Sequence, residues 1–289
     1  MKVYFVVLHY INIIETLNCV ESINRLDSDK EIIIVDNGSN NGTGEKLNNM
    51  YDGKKNIHVV CSPINLGFAK GNNLGINTIS DKKDAIIVVC NSDVLFEQND
   101  FCKKVIDIYM KDKYSVLGPD ITSQDKTVHE NPTLCEISDM RSLNRQIRRF
   151  QFEESLNSSG LILLSRAMNK LYNKKTIKFD YKKACNSIER NIKLHGSCLV
   201  FSPLFFEKHK GFFEGTFLFQ EENVLSDMCR RKGDKMIYSP EIRVVHLGSR
   251  SYKKEYKNGN KRFKNYVKNC LLSLKNYSDW LNKQSKSAG

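Results

Sequence analysis

Four places in the sequence carry residue types able to do chemistry on a phosphate-bearing ligand. Asp36 closes the apolar run 32–35 and opens the turn Asn37-Gly38-Ser39. A carboxylate at such a point accepts hydrogen bonds from a base imide or a ribose hydroxyl, although an Asx-turn ending the strand uses the same residue. Asn91-Ser92-Asp93 follows the apolar run 85–90. An acid there can hold a hard divalent cation, which bridges two phosphates, or it can simply make a turn. Glu221-Glu222 follows Phe217-Leu218-Phe219-Gln220. A carboxylate beside aromatics gains basicity and can act as a general base, and two acids also suit the first turn of a helix. His246, after residues 243–245, can ligate a metal or end a strand as a hydrogen-bonded imidazole, and Gly248-Ser249-Arg250-Ser251 beyond it can meet phosphate oxygens.

Other chemistries find no support. His9, His58, His129, His195 and His209 form neither an HxxxH nor an HxH pair, which argues against a zinc hydrolase. There is no GxxxxGK[ST] and no GxSxG, and the loop from Asn65 to Asn73 (NLGFAKGNN) is not a GxGxxG loop, which disfavours dinucleotide oxidoreductase chemistry.

The elements that would position these groups alternate. Residues 3–8 and 32–35 are short apolar runs, as expected of strands buried on both faces of a parallel sheet, and 57–61 and 85–90 read as two further strands. Between them, 14–26 shows helical spacing, 43–51 a polar helix and 69–79 a third helix. Strand–helix–strand repeats with short loops predict right-handed parallel crossovers and a doubly wound sheet. Ligands bind beyond the carboxyl ends of such strands, and His9-Tyr10, Asp36, the Asn65 loop and Asp93 all fall on that edge. Further on, 198–201 and 235–238 read as strands and 223–231 as a helix. Phe263, Tyr266, Val267, Leu271 and Leu274 form a helical stripe that serves either core packing, a homodimer contact or a membrane surface.

The composition is that of a globular protein, with 40% hydrophobic and 27% charged residues. Its net charge of +12 is uneven. Residues 138–195 hold 13 Lys and Arg against 5 Asp and Glu, and residues 250–289 hold 11 against 2, leaving a mildly acidic body. Such segments suit nucleic acid, anionic lipid or a phosphate-bearing substrate, or are plain solvated helix faces. Nine scattered cysteines without a CxxC pair read as reduced thiols. No apolar run reaches the ~18 residues needed to cross a bilayer, and the N-terminal apolar stretch is interrupted at His9-Tyr10, so a cytoplasmic location is expected.

The segments Val6-Val-Leu-His-Tyr-Ile-Asn12, Ile34-Val-Asp-Asn-Gly-Ser39, Asn65-Leu-Gly-Phe-Ala-Lys-Gly-Asn-Asn73 and Asn91-Ser-Asp-Val94 occur in the order seen in family 2 glycosyltransferases of the GT-A fold. His195-Gly-Ser-Cys198, Phe217-Leu-Phe-Gln-Glu-Glu222 and Val245-His-Leu-Gly-Ser-Arg-Ser251 resemble the family's later motifs. The resemblance is greatest to the rhamnosyl- and galactosyltransferase-like members that build bacterial surface polysaccharides. It implies a mainly parallel Rossmann-like sheet flanked by helices, with a basic helical insertion and a C-terminal helix.

The resemblance also implies inverting transfer of a sugar from a UDP- or dTDP-sugar to a saccharide acceptor, in capsule, O-antigen or cell-wall synthesis. The implied acceptor is polyprenyl-diphosphate-linked, at the inner face of the membrane, with peripheral contact to anionic lipid. His9, Tyr10 and Asp36 would hold the nucleoside, with Asn65 and Lys70 nearby and Asn91 and Ser92 in the donor site. Asp93 would hold Mn²⁺ or Mg²⁺, with His246 a further metal or phosphate ligand. Such a cation neutralises charge on the departing nucleotide diphosphate. Glu222, or else Glu221, would be the base, and His195, Gly196 and Ser197 would lie on the acceptor side. Two departures stand out: the metal motif begins with Asn91 where the family often has Asp, and Glu222 occupies a column that often holds Asp. Gln146-Ile-Arg-Arg-Phe150 imitates a signature of processive synthases, but it precedes the acidic pair and ends in Phe, so a single addition is expected.

The organisation that follows is a catalytic domain over 1–251, with a nucleotide-binding half 1–120 and an acceptor-side half 121–251, and a basic helical extension over 252–289. Two other functions compete. A sugar-phosphate nucleotidyltransferase would open with a Gly-rich basic loop after the first strand, where this chain has His9-Tyr10-Ile11-Asn12. A non-catalytic basic module binding nucleic acid or membrane would leave the polar groups on the sheet edge unexplained, and the paired strand aromatics of RNA-binding sheets are absent, so no nucleic-acid partner is expected.

Overall fold

The computed structural model describes residues 1–176, 189–190, 192–248 and 258–287. The strands β1 (Lys2–His9), β2 (Lys30–Asp36), β3 (Ile57–Cys61) and β4 (Ala85–Asn91) lie parallel in the order β3-β2-β1-β4. Helices α1 (Ile13–Asn24), α2 (Thr43–Tyr51) and α3 (Gly67–Asn77) make the crossovers. These elements sit where the apolar runs and turn residues put them. Alternate side chains go to opposite faces: Phe5, Val7, Ile32, Ile34 and Val88 join one core with α1, whereas Val6, Ile33, Val35 and Val89 join a second with α3. Burial on both faces is why β1, β2 and β4 read as apolar runs, whereas β3, at the sheet edge, leaves His58 and Cys61 exposed.

Beyond β4 the sheet becomes mixed. After β5 (Val94–Leu95) and α4 (Phe101–Asp112) come β6 (Val116–Ser123), α5 (Met140–Ser158), α6 (Ile162–Thr176) and β7 (Glu189–Arg190). Then follow β8 (Cys198–Phe201), α7 (Pro203–Lys208), α8 (Glu221–Arg231), β9 (Met236–His246) and α9 (Gly259–Ser287). The full order is β3-β2-β1-β4-β8-β6-β9-β5, with β7 on β9. β8 is antiparallel to both β4 and β6, and β6 and β9 are parallel. Neither α4 nor β6 stands out in the sequence analysis. β6 contains Gly118-Pro119-Asp120, and its register with β9 shifts between Pro119 and Asp120, which breaks its alternation. β9 runs longer than the anticipated 235–238 because the shift carries it past Pro240. β6 also crosses position 120, so the two anticipated halves share a strand.

A third core lies under the basic segments. Leu143 and Phe150 of α5, Val224 of α8, and Val267, Cys270, Leu274 and Tyr277 of α9 are buried together. The α9 stripe therefore packs within the chain, with Phe263, Tyr266 and Leu271 against the same cluster. Tyr277 donates its hydroxyl to the buried Asp227 at 2.7 Å, tying α9 to α8. All cysteines among the described residues are free, and Cys185 lies outside those residues. No helix among the described residues is long and apolar enough to cross a membrane.

Candidate active site

The parallel registers bring the donor-side residues together. His9 at the end of β1 pairs with Asp36 at the end of β2, and Leu8 pairs with Asn91 at the end of β4. Three strand ends thus meet on one rim, with Tyr10 half-buried beside them. Asp36 is buried, and its Oδ1 accepts the Ser39 amide at 3.1 Å. The backbone of α2 comes so near that a Cβ on Gly44 would lie 2.0 Å from Asp36 Oδ2. His9 is fully buried, its ring nitrogens bonded to Thr16 Oγ1 at 2.7 Å and Thr43 Oγ1 at 2.9 Å. Burial holds its pKa below the usual value in spite of Asp36, so the imidazole is neutral and braces the rim instead of opening onto it.

The Asn65 loop is fastened from beneath. Asn37 accepts the Leu66 amide at 2.9 Å and donates to Asn65 Oδ1 at 3.2 Å and to the Gly67 carbonyl at 3.1 Å. Asn65 Oδ1 also accepts the Gly67 amide at 2.8 Å, so this side chain shapes the loop. Gly67 has φ of +79°, and a Cβ there would strike the Phe217 carbonyl at 2.1 Å. Only glycine fits where the start of α3 meets the segment leading to the acidic pair. Lys70, one turn on, is exposed.

Asp93 and His246 come together through the pairing of Val94 with His246. His246 Nε2 lies 3.4 Å from Asp93 Oδ1 and is buried without a hydrogen-bond partner, while Nδ1 is bonded to Glu130 Oε2 at 2.7 Å. Burial lowers the His246 pKa, but the carboxylates of Asp93 and Glu130 outweigh it and lift it to about 10. Burial likewise pushes Glu130 up, and the two histidines draw it below its usual value. His195 Nε2 is 3.9 Å from the same Glu130 oxygen. Without a metal the charged imidazole ion-pairs with Asp93; a divalent cation held by Nε2 and Asp93 would displace the Nε2 proton, with Glu130 orienting the ring from Nδ1. Glu130, His195 and His246 are also near enough to one another to share an ion. The group His209, Cys229 and Asp234 has similar spacing, but Asp234 already pairs with Lys208, His209 and Ser115. Asn91 is half-buried, Ser92 is buried, and Ser249, Arg250 and Ser251 lie outside the described residues.

The acidic pair opens α8 behind two strained residues. Phe219 and Gln220 have φ of 71° and 73°, a left-handed conformation costing about 1–3 kcal/mol per non-glycine residue. Contacts pin them there: Phe219 packs on Tyr266, and Gln220 bonds Asn223 at 2.9 Å. Burial pushes the Glu221 carboxyl up to about 8, the Glu222 charge adding to it against the pull of its own amide and Thr216. Glu221 is therefore protonated at neutral pH. Glu222 is half-buried, and its Oε1 accepts the Gly196 amide at 2.8 Å. The loop of His195, Gly196 and Ser197 joins both halves, since the Ser197 carbonyl accepts the Asn91 amide at 2.9 Å. Asn131, fully buried, accepts the His195 amide at 2.7 Å and donates to the Pro119 carbonyl at 2.9 Å.

Asp36, Asp93 with His246, and Glu222 are thus linked along one rim by strand register and backbone bonds. The sequence profile of glycosyl transferase family 2 matches residues 7–177, more than half of the chain. The chain belongs to this family. The family match takes in His9, Asp36, Asn65 and Asp93 and ends before the acidic pair and His246.

Solved glycosyltransferase structures share the fold. S. aureus TarS 1-349 in complex with UDP superposes with a TM-score of 0.53 at 13% identity, over 85% of this chain and 60% of that one. GalNAc-T7 with UDP, GalNAc and Mn²⁺ gives 0.56 at 13% identity, over 85% of this chain and 44% of that one. This family 2 chain therefore spans under two thirds of either relative's length, and the GT-A-like α/β fold is what they share. No curated protein sequence matches it.

Glu130, Asn37, Asn131 and Gly44 escape the sequence reading. Glu130 stands in the polar stretch His129-Glu130-Asn131-Pro132, whose only signal is three residues of metal-binding or hydrogen-bonding type without periodicity.

Proposed function

We propose that this family 2 chain is an inverting glycosyltransferase that moves a sugar from UDP or dTDP to a hydroxyl of a saccharide acceptor. The observation that carries the reading is that strand register sets Asp36 and Asn91 at neighbouring strand ends, with Asn91 leading to the Asp93–His246 pair and bonded to the loop whose Gly196 holds Glu222. Relatives solved with UDP, and in one case with GalNAc and Mn²⁺, support the same donor class.

In this reading Asp36 and Tyr10 accept the nucleoside, with His9 holding Asp36's surroundings in place, and Asn65, Lys70, Asn91 and Ser92 border the donor. Asp93 and His246 would hold Mn²⁺ or Mg²⁺, which supplies charge neutralisation for the leaving diphosphate. Glu222 takes the proton of the acceptor hydroxyl as its oxygen attacks the anomeric carbon opposite the leaving group. Burial keeps the neighbouring Glu221 carboxyl protonated. His195, Gly196 and Ser197 face the acceptor, a saccharide carried on a lipid diphosphate in surface-polysaccharide synthesis. Residues 1–120 then serve the donor, and 121–251 serve the acceptor and lend His246 to the cation.

A donor screen that measures nucleotide release from UDP- and dTDP-sugars tests this. Thermal stabilisation by UDP or dTDP that requires Mn²⁺ is the expected companion result. Stabilisation only by a nucleoside triphosphate with a sugar phosphate would replace the reading with nucleotidyl transfer, and binding to RNA alone would remove catalysis from it.

A further inference from the structure

Helix α6 is built inside out. Its inward face is polar: Ser165 Oγ donates to the Glu153 carbonyl, Asn169 Nδ2 donates to Glu153 Oε2 at 3.2 Å, and Tyr172 Oη accepts from Gln146 Nε2 at 2.6 Å. Ser165 and Asn169 are buried, whereas Leu163, Leu164 and Leu171 are 73%, 51% and 63% exposed. Leu163, Ala167, Lys170 and Leu171 recur at the spacing of one helical face, and Leu161 in the turn before α6 and Phe152 on α5 add to the exposed apolar surface. A water-facing helix has the reverse pattern, and several exposed leucines gathered on one helix mark a surface that meets something.

The surrounding charge says what. Arg166 and Lys170 are exposed within the apolar face, and α5 presents Arg141, Arg145 and Arg148 along one exposed row. On α9, Lys264, Lys268 and Lys275 flank the exposed Leu272. Leucines interleaved with cations match a bilayer with anionic headgroups, where the apolar side chains enter the acyl boundary and the cations stay at phosphate level. A second copy fits less well, because a two-fold contact would set Arg166 and Lys170 against the same charges on its mate. Nucleic acid offers nothing to the leucines.

We infer that the α5–α6 hairpin is a membrane-docking surface that lays the outward face of α6 on an anionic bilayer. The hairpin joins the active-site rim through Gln146, which donates to Glu136 at 3.0 Å, and Glu136, whose amide donates to Asn223 beside Glu222 at 3.2 Å. A docked hairpin would hold the rim near the lipid surface. The inference stands on surface chemistry and does not depend on which sugar is moved.

Co-sedimentation of the full chain with phosphatidylcholine vesicles, with and without about 30% phosphatidylglycerol, tests it directly. The chain is expected to pellet with the anionic vesicles only and to be released by salt. Leu163→Glu with Leu171→Glu is expected to cut the bound fraction about tenfold with unchanged melting, since both side chains point outward. Arg166→Glu with Lys170→Glu, which leaves the leucines in place, is expected to remove most of the preference for phosphatidylglycerol. Absence of binding, or binding that survives both pairs, overturns the inference. So does a chain that is dimeric in solution and becomes monomeric with the leucine pair.

Discussion

Gly196 donates its backbone N–H to Oε1 of Glu222 at 2.8 Å, so a loop outside helix α8 fixes the orientation of the carboxylate on that helix. One Glu222 oxygen is thereby held and the other is left for a proton. A Cβ on Gly196 would lie 3.2 Å from the held oxygen, so the Glu222 carboxylate would have to give by a few tenths of an ångström.

Glu222→Gln keeps the shape and removes the base. Transfer should fall about 10²- to 10⁴-fold while nucleotide affinity, measured calorimetrically, stays within a factor of two or so. Equal loss of nucleotide binding would place Glu222 on the donor instead.

Asp93→Ala should abolish Mn²⁺-dependent binding of UDP or dTDP. Glu130→Gln should weaken Mn²⁺ by about 10- to 100-fold, because it loosens the His246 ring without removing a nitrogen ligand. Metal titration followed by nucleotide fluorescence separates the two, and metal-independent binding that is unaltered in Asp93→Ala would remove Asp93 from this role.

Gly44→Ala puts a methyl where Asp36 Oδ2 now lies, at 2.0 Å. The carboxylate must turn away, and the donor KM should rise about 10- to 100-fold, the range for losing a hydrogen bond to a charged group, with a smaller change in kcat. A KM unchanged in steady-state assays would mean that Asp36 does not meet the donor.

Burial raises Glu221 to about 8, above the value of an exposed carboxyl. The folded state therefore holds a proton that the unfolded chain gives up at lower pH, and stability should decline as pH rises from about 5 to about 8. Glu221→Gln removes this titration, so its melting temperature should exceed that of the parent increasingly toward alkaline pH. Parallel profiles in a pH series of thermal melts would show that Glu221 is ionised in the fold.

β1, β2 and β4 are legible because a strand covered on both faces must be apolar throughout, and the turns after β2 and β4 carry Asp and Asn. The same strand–helix alternation also puts Asp36 and Asp93 on one edge. What the sequence hides is held by single side chains acting across the chain. Glu130 reaches His246 and Asn131 reaches His195 from a loop with no period to betray it. β6 is concealed by the Gly-Pro-Asp at its bulge, and the polar inward face of α6 is invisible until Glu153 is seen beneath it. His9 shows the opposite case, a residue conspicuous in the sequence whose imidazole lies between two threonines.

The position of β8 between β4 and β6 has a kinetic meaning. The loop entering β8 carries Gly196 to Glu222, and the carbonyl of Ser197 receives the amide of Asn91 from the opposite half. In the proposed reading the donor and acceptor sides are thereby fastened to one seam of the sheet, so a substitution that loosens β8 should move the KM for both substrates together.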